Sequence, residues 1–305
     1  MSSLARYLDP EVIQQVSRLD LRARFVVEGF LAGQHRSPFQ GFSVEFSEHR
    51  KYVQGDDLRA LDWNVFARSD RLFVRKYAAE THLDCHLLVD ASASMGYVGP
   101  LTGPTPQRGS DKLQYAIHLA AALGYLVTHQ QDAIGLGVIG EGLHTLLPPR
   151  SRRADLLELL ATLATVQPAG RTGLAAGVHE ALARIPHRGV LVLLSDLLTD
   201  AEATLRALHH ARFRGHDLIV FHILDAAEVR FPFEGALRLE DPETGLTLDA
   251  DAAGVRERYV AAVAGWRAEL ERRISAMRGD YVPLDTSMPF DKALTEFLVQ
   301  RSRRR

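Results

Sequence analysis

The stretch that most constrains this chain is Leu87-Leu88-Val89-Asp90-Ala91-Ser92-Ala93-Ser94-Met95, where an apolar run ends in an acid and two spaced serines. A run of this kind reads as a parallel strand buried on both faces. Open α/β sheets bind ligands at the carboxyl ends of such strands. There Asp90, Ser92 and Ser94 offer three short oxygen side chains. Magnesium takes oxygen ligands in octahedral geometry at about 2.1 Å, so a hard cation would need further ligands from elsewhere in the chain.

The pattern after Asp84 says what that strand belongs to. Asp84 to Asp90, Asp132 to Ile139, Gly189 to Ser195 and Asp217 to Leu224 read as strands. Asp111 to Gln130, Arg153 to Val166, Leu174 to Ile185 and Ala201 to Arg214 read as helices, with Asp111 in the first turn of its helix. Leu143 to Leu147 reads as a hairpin return beside the second strand. The alternation predicts an α/β fold with a mainly parallel sheet flanked by helices. Beyond it, Ala236 to Asp249 predicts a small hairpin turning at Asp241-Pro242-Glu243-Thr244-Gly245. Gly254 to Met277 reads as the last long helix. Its stripe of Val255, Tyr259, Val263, Trp266, Leu270, Ile274 and Met277 is expected to pack on its own domain.

Residues 1–83 have another character. Val12 to Leu31 reads as helical, Gly33 to Tyr52 mixes glycine, serine, phenylalanine and charge, and Leu72 to Tyr77 alternates like a strand. The expected organisation is an appendage over 1–83, packed on an α/β domain over 84–305. A chain of 305 residues with 46% hydrophobic and 24% charged residues suits that arrangement. The net charge of -2 gives no electrostatic reason to bind nucleic acid. The basic end, Arg301-Ser302-Arg303-Arg304-Arg305, is expected to be a solvated, disordered tail. No apolar run approaches the roughly 20 residues that span a bilayer, so direct membrane insertion is not expected. The single cysteine, Cys85, permits no internal disulfide, and the start lacks the apolar core of a signal peptide. The cytoplasm is the expected compartment.

Two later residues complete the candidate metal site. Thr172 lies in the glycine-flanked loop Gly170-Arg171-Thr172-Gly173 just before a helix, and Asp196 closes the third strand. Loops after successive parallel strands gather at one sheet edge. Asp90, Ser92, Ser94, Thr172 and Asp196 can therefore converge on one divalent ion, magnesium first, with manganese or calcium as alternatives. The bland alternative is that Asp90 and Ser92 begin the next helix as N-caps; five such residues at strand ends weigh against it.

These five residues resemble the metal-ion-dependent adhesion site of von Willebrand factor type A domains. The upstream run Tyr52-Val53-Gln54-Gly55-Asp56-Asp57-Leu58-Arg59-Ala60-Leu61-Asp62-Trp63 narrows the resemblance. Together with Ala67-Arg68 and Leu72-Phe73-Val74-Arg75-Lys76-Tyr77, it is similar to the bacterial family known as domain of unknown function fifty-eight. The resemblance implies a noncatalytic, metal-dependent protein-binding adaptor. Its partner would be a MoxR-type AAA+ ATPase or a client protein, engaged through an acidic side chain during assembly or maturation of other proteins. It also implies Ser92, Ser94 and Thr172 as direct ligands, with Asp90 and Asp196 direct or water-bridged. One departure stands out: this chain has Ser195-Asp196-Leu197 where many members of the superfamily have Thr-Asp-Gly.

Other features carry less. The charged upstream run reads as an ion-pair network, with Arg68, Arg75 and Lys76 as partners, ahead of a docking surface. Gly135-Leu136-Gly137-Val138-Ile139-Gly140 spells a dinucleotide fingerprint but lies inside a strand, so no phosphate-cradling turn is expected. His82, Asp84 and His86 share a strand face without a further ligand, and His209 and His210 point apart on a helix. Neither Ser92 nor Ser94 sits in a nucleophile elbow. The rival function is a metal-dependent hydrolase of phosphate esters.

Overall fold

The computed structural model describes residues 48–51, 68, 73–76, 84–100 and 111–304, which fall into two units. In the unit within Phe39–Leu83, β1 (Glu48–Lys51) pairs antiparallel with β2 (Phe73–Lys76), placing Glu48 opposite Lys76. The strand expected at Leu72 to Tyr77 is therefore present. The expected helix at Val12 to Leu31, the Gly33 to Tyr52 segment outside β1, the Tyr52–Trp63 run and His82 lie outside the described residues.

In the larger unit the chain runs β3 (Cys85–Asp90), α1 (Lys112–His129), β4 (Ile134–Ile139), β5 (Leu143–Arg150), α2 (Arg153–Ala164), α3 (Leu174–Arg184), β6 (Val190–Ser195) and α4 (Ala201–Phe213). It continues through β7 (Asp217–Leu224), α5 (Ala226–Arg230), β8 (Ala236–Glu240), β9 (Thr247–Asp251), α6 (Ala252–Ala276), β10 (Asp280–Asp285) and α7 (Phe290–Arg304). The central sheet has the order β10-β7-β6-β3-β4-β5, parallel except where β5 returns against β4. Counted from β3 along the chain, this is the doubly wound order, with its topological switch point between β3 and β6. The fold is the von Willebrand factor A-like α/β class expected from the sequence.

Local sequence explains the layers. β3, β4 and β6 are buried along their whole length, which is why they read as continuous apolar runs. β5 lies at the edge, and Pro148 and Pro149 fall where its register with β4 is irregular, between the pairs Ile134–Arg150 and Leu136–Leu147, a place that tolerates missing amides. On one face Leu88, Leu193 and Val220 pack with Val178, Leu208 and Ile274 from α3, α4 and α6. Leu270 and Ile274 are the buried part of the α6 stripe, with Trp266 and Met277 half-buried against the same core. α1 is buried over most of its length, and Asp111 caps it from just outside by accepting a 2.6 Å bond from the Gln114 amide. The glycines of the apparent dinucleotide motif sit in β4, where a Cβ on Gly137 would come 2.6 Å from Leu88 Cδ2. They serve close packing.

Two expectations are corrected at the C-terminal end. α6 is not the last long helix, because β10 adds a parallel edge strand beside β7 and α7 follows it. Arg301 is not in a solvated tail: it is buried in α7, and its guanidinium bonds Asp280 at 2.6 Å. The apolar residues Phe290, Ala293, Leu294, Phe297 and Leu298 recur at helical spacing and are all buried. Among the described residues no helix is long and apolar enough to cross a membrane.

Candidate functional site

The carboxyl ends of β3 and β6 are tied together at the switch point. Asp90 ends β3, and its Oδ2 accepts a 2.6 Å bond from the Ser195 hydroxyl at the end of β6. Ser195 Oγ accepts in turn from the Leu197 amide at 2.9 Å, while Asp90 Oδ1 accepts from the Ser92 amide at 3.0 Å. The chain then makes a 3-10 turn over Ala93–Gly96, which brings Ser92 Oγ to 3.1 Å from Ser94 Oγ. Asp90, Ser92, Ser195 and Asp196 have no exposed surface.

Thr172 reaches the same edge through backbone contacts. The Ala169 amide bonds the Ala91 carbonyl at 2.9 Å, and the Ala93 amide bonds the Gly170 carbonyl at 3.0 Å. The loop before α3 is thereby docked on the loop after β3. Gly170 has a φ of +70, a conformation glycine adopts without penalty. At Gly173 space decides: a Cβ there would lie 1.9 Å from the Glu141 carbonyl oxygen. The glycines flanking Thr172 are therefore requirements of the loop's docking.

Asp196 lies in a charged network that the sequence did not reveal. Lys112, wholly buried at the start of α1, bonds Asp196 Oδ2 at 2.8 Å and Glu228 Oε1 at 2.7 Å. Burial pulls the Lys112 pKa down, but the two carboxylates outweigh it and the net shift is upward. Asp196 Oδ1 accepts from the Leu198 amide at 3.1 Å. His222 lies beneath, its pKa lowered to about 3 by burial first and then by the Arg267 charge. A neutral His222 must donate from Nε2 to the Asp196 carbonyl (2.9 Å), leaving Nδ1 to accept from the Tyr281 hydroxyl at 2.5 Å. Leu197, standing where the superfamily pattern has glycine, has a φ of +55. A leucine there carries about 1–2 kcal/mol of backbone strain, held by its burial in the core.

The donor set fits a divalent cation. Two cis ligands of an octahedral ion at about 2.1 Å lie about 3.0 Å apart, close to the Ser92–Ser94 hydroxyl spacing of 3.1 Å. Burial first, and then the negative charge of Asp196, push the Asp90 carboxyl well above the usual carboxylate range. Lys112 is the one buried cation in contact with this edge among the described residues. Each oxygen of Asp90 and of Asp196 accepts one hydrogen bond within the chain and keeps a second lone pair. Ser92, Ser94 and Thr172 bring three neutral hydroxyls to the same edge.

A cleft of about 410 Å³ opens beside this edge, with Ser94, Tyr97 and Leu198 on one side and the β8–β9 hairpin on the other. The hairpin turn sends Glu243 across to Thr172: Oε2 accepts the Thr172 amide at 2.9 Å, and Oε1 accepts its hydroxyl. Sequence reasoning missed Ser195, Lys112, Glu228 and Glu243. A signal for Lys112 existed, since a lysine in the first turn of a helix opposes the helix dipole and calls for nearby carboxylates. Glu243, 71 residues beyond Thr172, left no such signal.

The mainly parallel, doubly wound sheet flanked by helices is a fold of the von Willebrand factor A-like class. Residues 48–269 match the family described as "Protein of unknown function DUF58", and the chain belongs to that family. It is 29% identical over 299 residues to the uncharacterized protein Rv1480 of Mycobacterium tuberculosis (strain ATCC 25618 / H37Rv), spanning 97% of this chain and 91% of that protein. Among solved structures it is similar to the conserved hypothetical protein BatB from Bacteroides thetaiotaomicron, with 18% identity and a TM-score of 0.47 over 72% of this chain and 99% of that one. The SpRpn10 VWA domain matches with 11% identity and a TM-score of 0.39 over 70% of this chain and 94% of that one.

Proposed function

We propose that this protein is a noncatalytic adaptor that grips a partner through a divalent cation at the switch point, magnesium first. The family and fold support a protein-interaction role. The observation that carries the metal-dependent form is the pairing of two buried hydroxyls 3.1 Å apart with two buried aspartates, of which Asp196 bonds the Lys112 ammonium while Asp90 is held by the Ser195 hydroxyl and the Ser92 amide. Ser92, Ser94 and Thr172 would hold the ion, with Asp90 and Asp196 behind bridging waters. Neutral hydroxyls leave an ion electrophilic, and the chemistry it supplies is attraction for a partner's carboxylate. The chain's own residues orient that edge: Ser195 and the Ser92 amide fix Asp90, and Lys112 fixes Asp196. The proposed partner is a MoxR-type AAA+ ATPase or its client.

Calorimetric titration with magnesium and manganese should show binding at micromolar to millimolar levels, lost in Ser92→Ala. Immobilised protein should capture the MoxR-type ATPase of the same genome in magnesium and release it in EDTA. Absence of ion uptake, or equal capture in EDTA, would refute the proposal. Turnover of phosphate esters that disappears in Asp90→Ala would replace it with the hydrolase.

A further inference from the structure

The hairpin β8–β9 is mostly exposed, with Leu246 and Leu248 at 72% and 64% exposure. In its turn Asp241, Pro242, Thr244 and Gly245 are exposed, and Glu243 alone is half-buried. Asp241 shapes that turn by accepting the Glu243 amide at 2.9 Å. The side chain is thus aimed at Thr172, and both of its oxygens are used there, one on the amide and one on the hydroxyl. Glu243 also shares the walls of one cleft with Ser94. A carboxylate of this same chain therefore stands at the hydroxyl edge that the adaptor reading reserves for a partner's carboxylate.

We propose that Glu243 is an internal acidic ligand of the cation site, and that a partner must displace it to bind. The inference rests on the cation reading and deepens it. The hairpin is a cap: closed, Glu243 supplies the anionic group at Thr172; open, that position passes to an acidic side chain of the partner. Such a cap lowers apparent partner affinity by the fraction of molecules that are open, so a cap closed in nine molecules of ten costs about tenfold. It also keeps the edge from taking up stray carboxylates.

Manganese tests this, because the relaxation of water protons reports how many waters exchange on the bound ion. Acetate serves as the probe for a partner's carboxylate. Wild type, Glu243→Ala and the control Glu240→Ala, which removes an exposed acid from the same hairpin, are compared with thermal melts to show that each is folded. In Glu243→Ala the bound ion should gain an exchanging water and bind less tightly, and acetate should quench the relaxation at about tenfold lower concentration; Glu240→Ala should behave as wild type. Without metal, in EDTA, hydrogen exchange at the Thr172 amide should quicken in Glu243→Ala only. Manganese bound with the same hydration and acetate response in all three proteins would overturn the internal ligand and leave the cation site standing. Equal changes in both variants would reduce the effect to general charge and also overturn it. Unchanged exchange at Thr172 would overturn the cap contact. No manganese uptake by any of the three would remove the cation reading and this inference with it.

Discussion

Replacing Lys112 by methionine tests the account of the switch point most directly. The Lys112 ammonium is fully buried, 2.8 Å from Asp196 and 2.7 Å from Glu228, and Asp196 has no access to water. At an effective dielectric of about 20, each contact represents about 6 kcal/mol of attraction, most of it offset by the cost of taking the charges out of water. Methionine keeps the apolar stem in place, so the packing loss is small. What it leaves is a buried Asp196 carboxylate beside Asp90 with no ammonium. Breaking a buried pair this way costs about 3–5 kcal/mol, or roughly 6–20 °C of Tm for a unit of this size. The raised Lys112 pKa means the stabilisation is complete below the ordinary lysine value and lost only as pH rises through the higher folded value, so melts at pH 7.5 read it in full. Urea and thermal unfolding in EDTA provide the measurement, with Lys112→Met/Asp196→Asn closing the cycle. Removing both charges should restore about 1–3 kcal/mol relative to the sum of the single changes. A loss under about 1 kcal/mol, as for a surface pair, or strict additivity in the double variant, would refute the argument.

Three further outcomes are expected. His86 is buried, its Nε2 lacks a hydrogen-bond partner, and burial followed by the nearby His216 lowers its pKa to about 4; since the native state then binds fewer protons than the unfolded chain, stability is fully present above about pH 6.5 and falls by about 3 kcal/mol as pH drops through 4, and urea midpoints for His86→Leu should lack that component. Gly173→Ala places a Cβ 1.9 Å from the Glu141 carbonyl and should shift the Thr172 loop, costing about 1–3 kcal/mol in chemical denaturation and weakening manganese uptake. Arg301→Gln removes the buried contact to Asp280 at 2.6 Å and should lower stability by about 1–3 kcal/mol; a change within the scatter of surface substitutions would return the C-terminal residues to a solvated tail.

The layers of the α/β unit were legible because burial on both faces writes a strand as an unbroken apolar run, as at Cys85–Asp90 and Val190–Ser195. Alternation with helical spacing then limited the order of elements. β10 escaped because Pro283 interrupts its pattern, a residue tolerated there only because the strand lies at the sheet edge. α7 is legible in the spacing of Phe290, Ala293, Leu294, Phe297 and Leu298, although the basic residues at its end have the composition of a solvated tail. The serines after β3 could be read locally, because strand ends and caps depend on residues close in sequence.

What the sequence determined by itself was the class of fold, the sheet edge where chemistry could gather, and five oxygen-bearing side chains at predicted loop positions. Tertiary structure alone decided their company. Ser195 reaches Asp90 across 105 residues, Lys112 reaches Asp196 across 84, and Glu243 reaches Thr172 across 71. No local periodicity encodes contacts of that range. The first two exist because the doubly wound sheet brings the ends of β3 and β6 together at its switch point, where a buried carboxylate or ammonium must find a partner, and the third because the β8–β9 hairpin folds back onto the loop before α3.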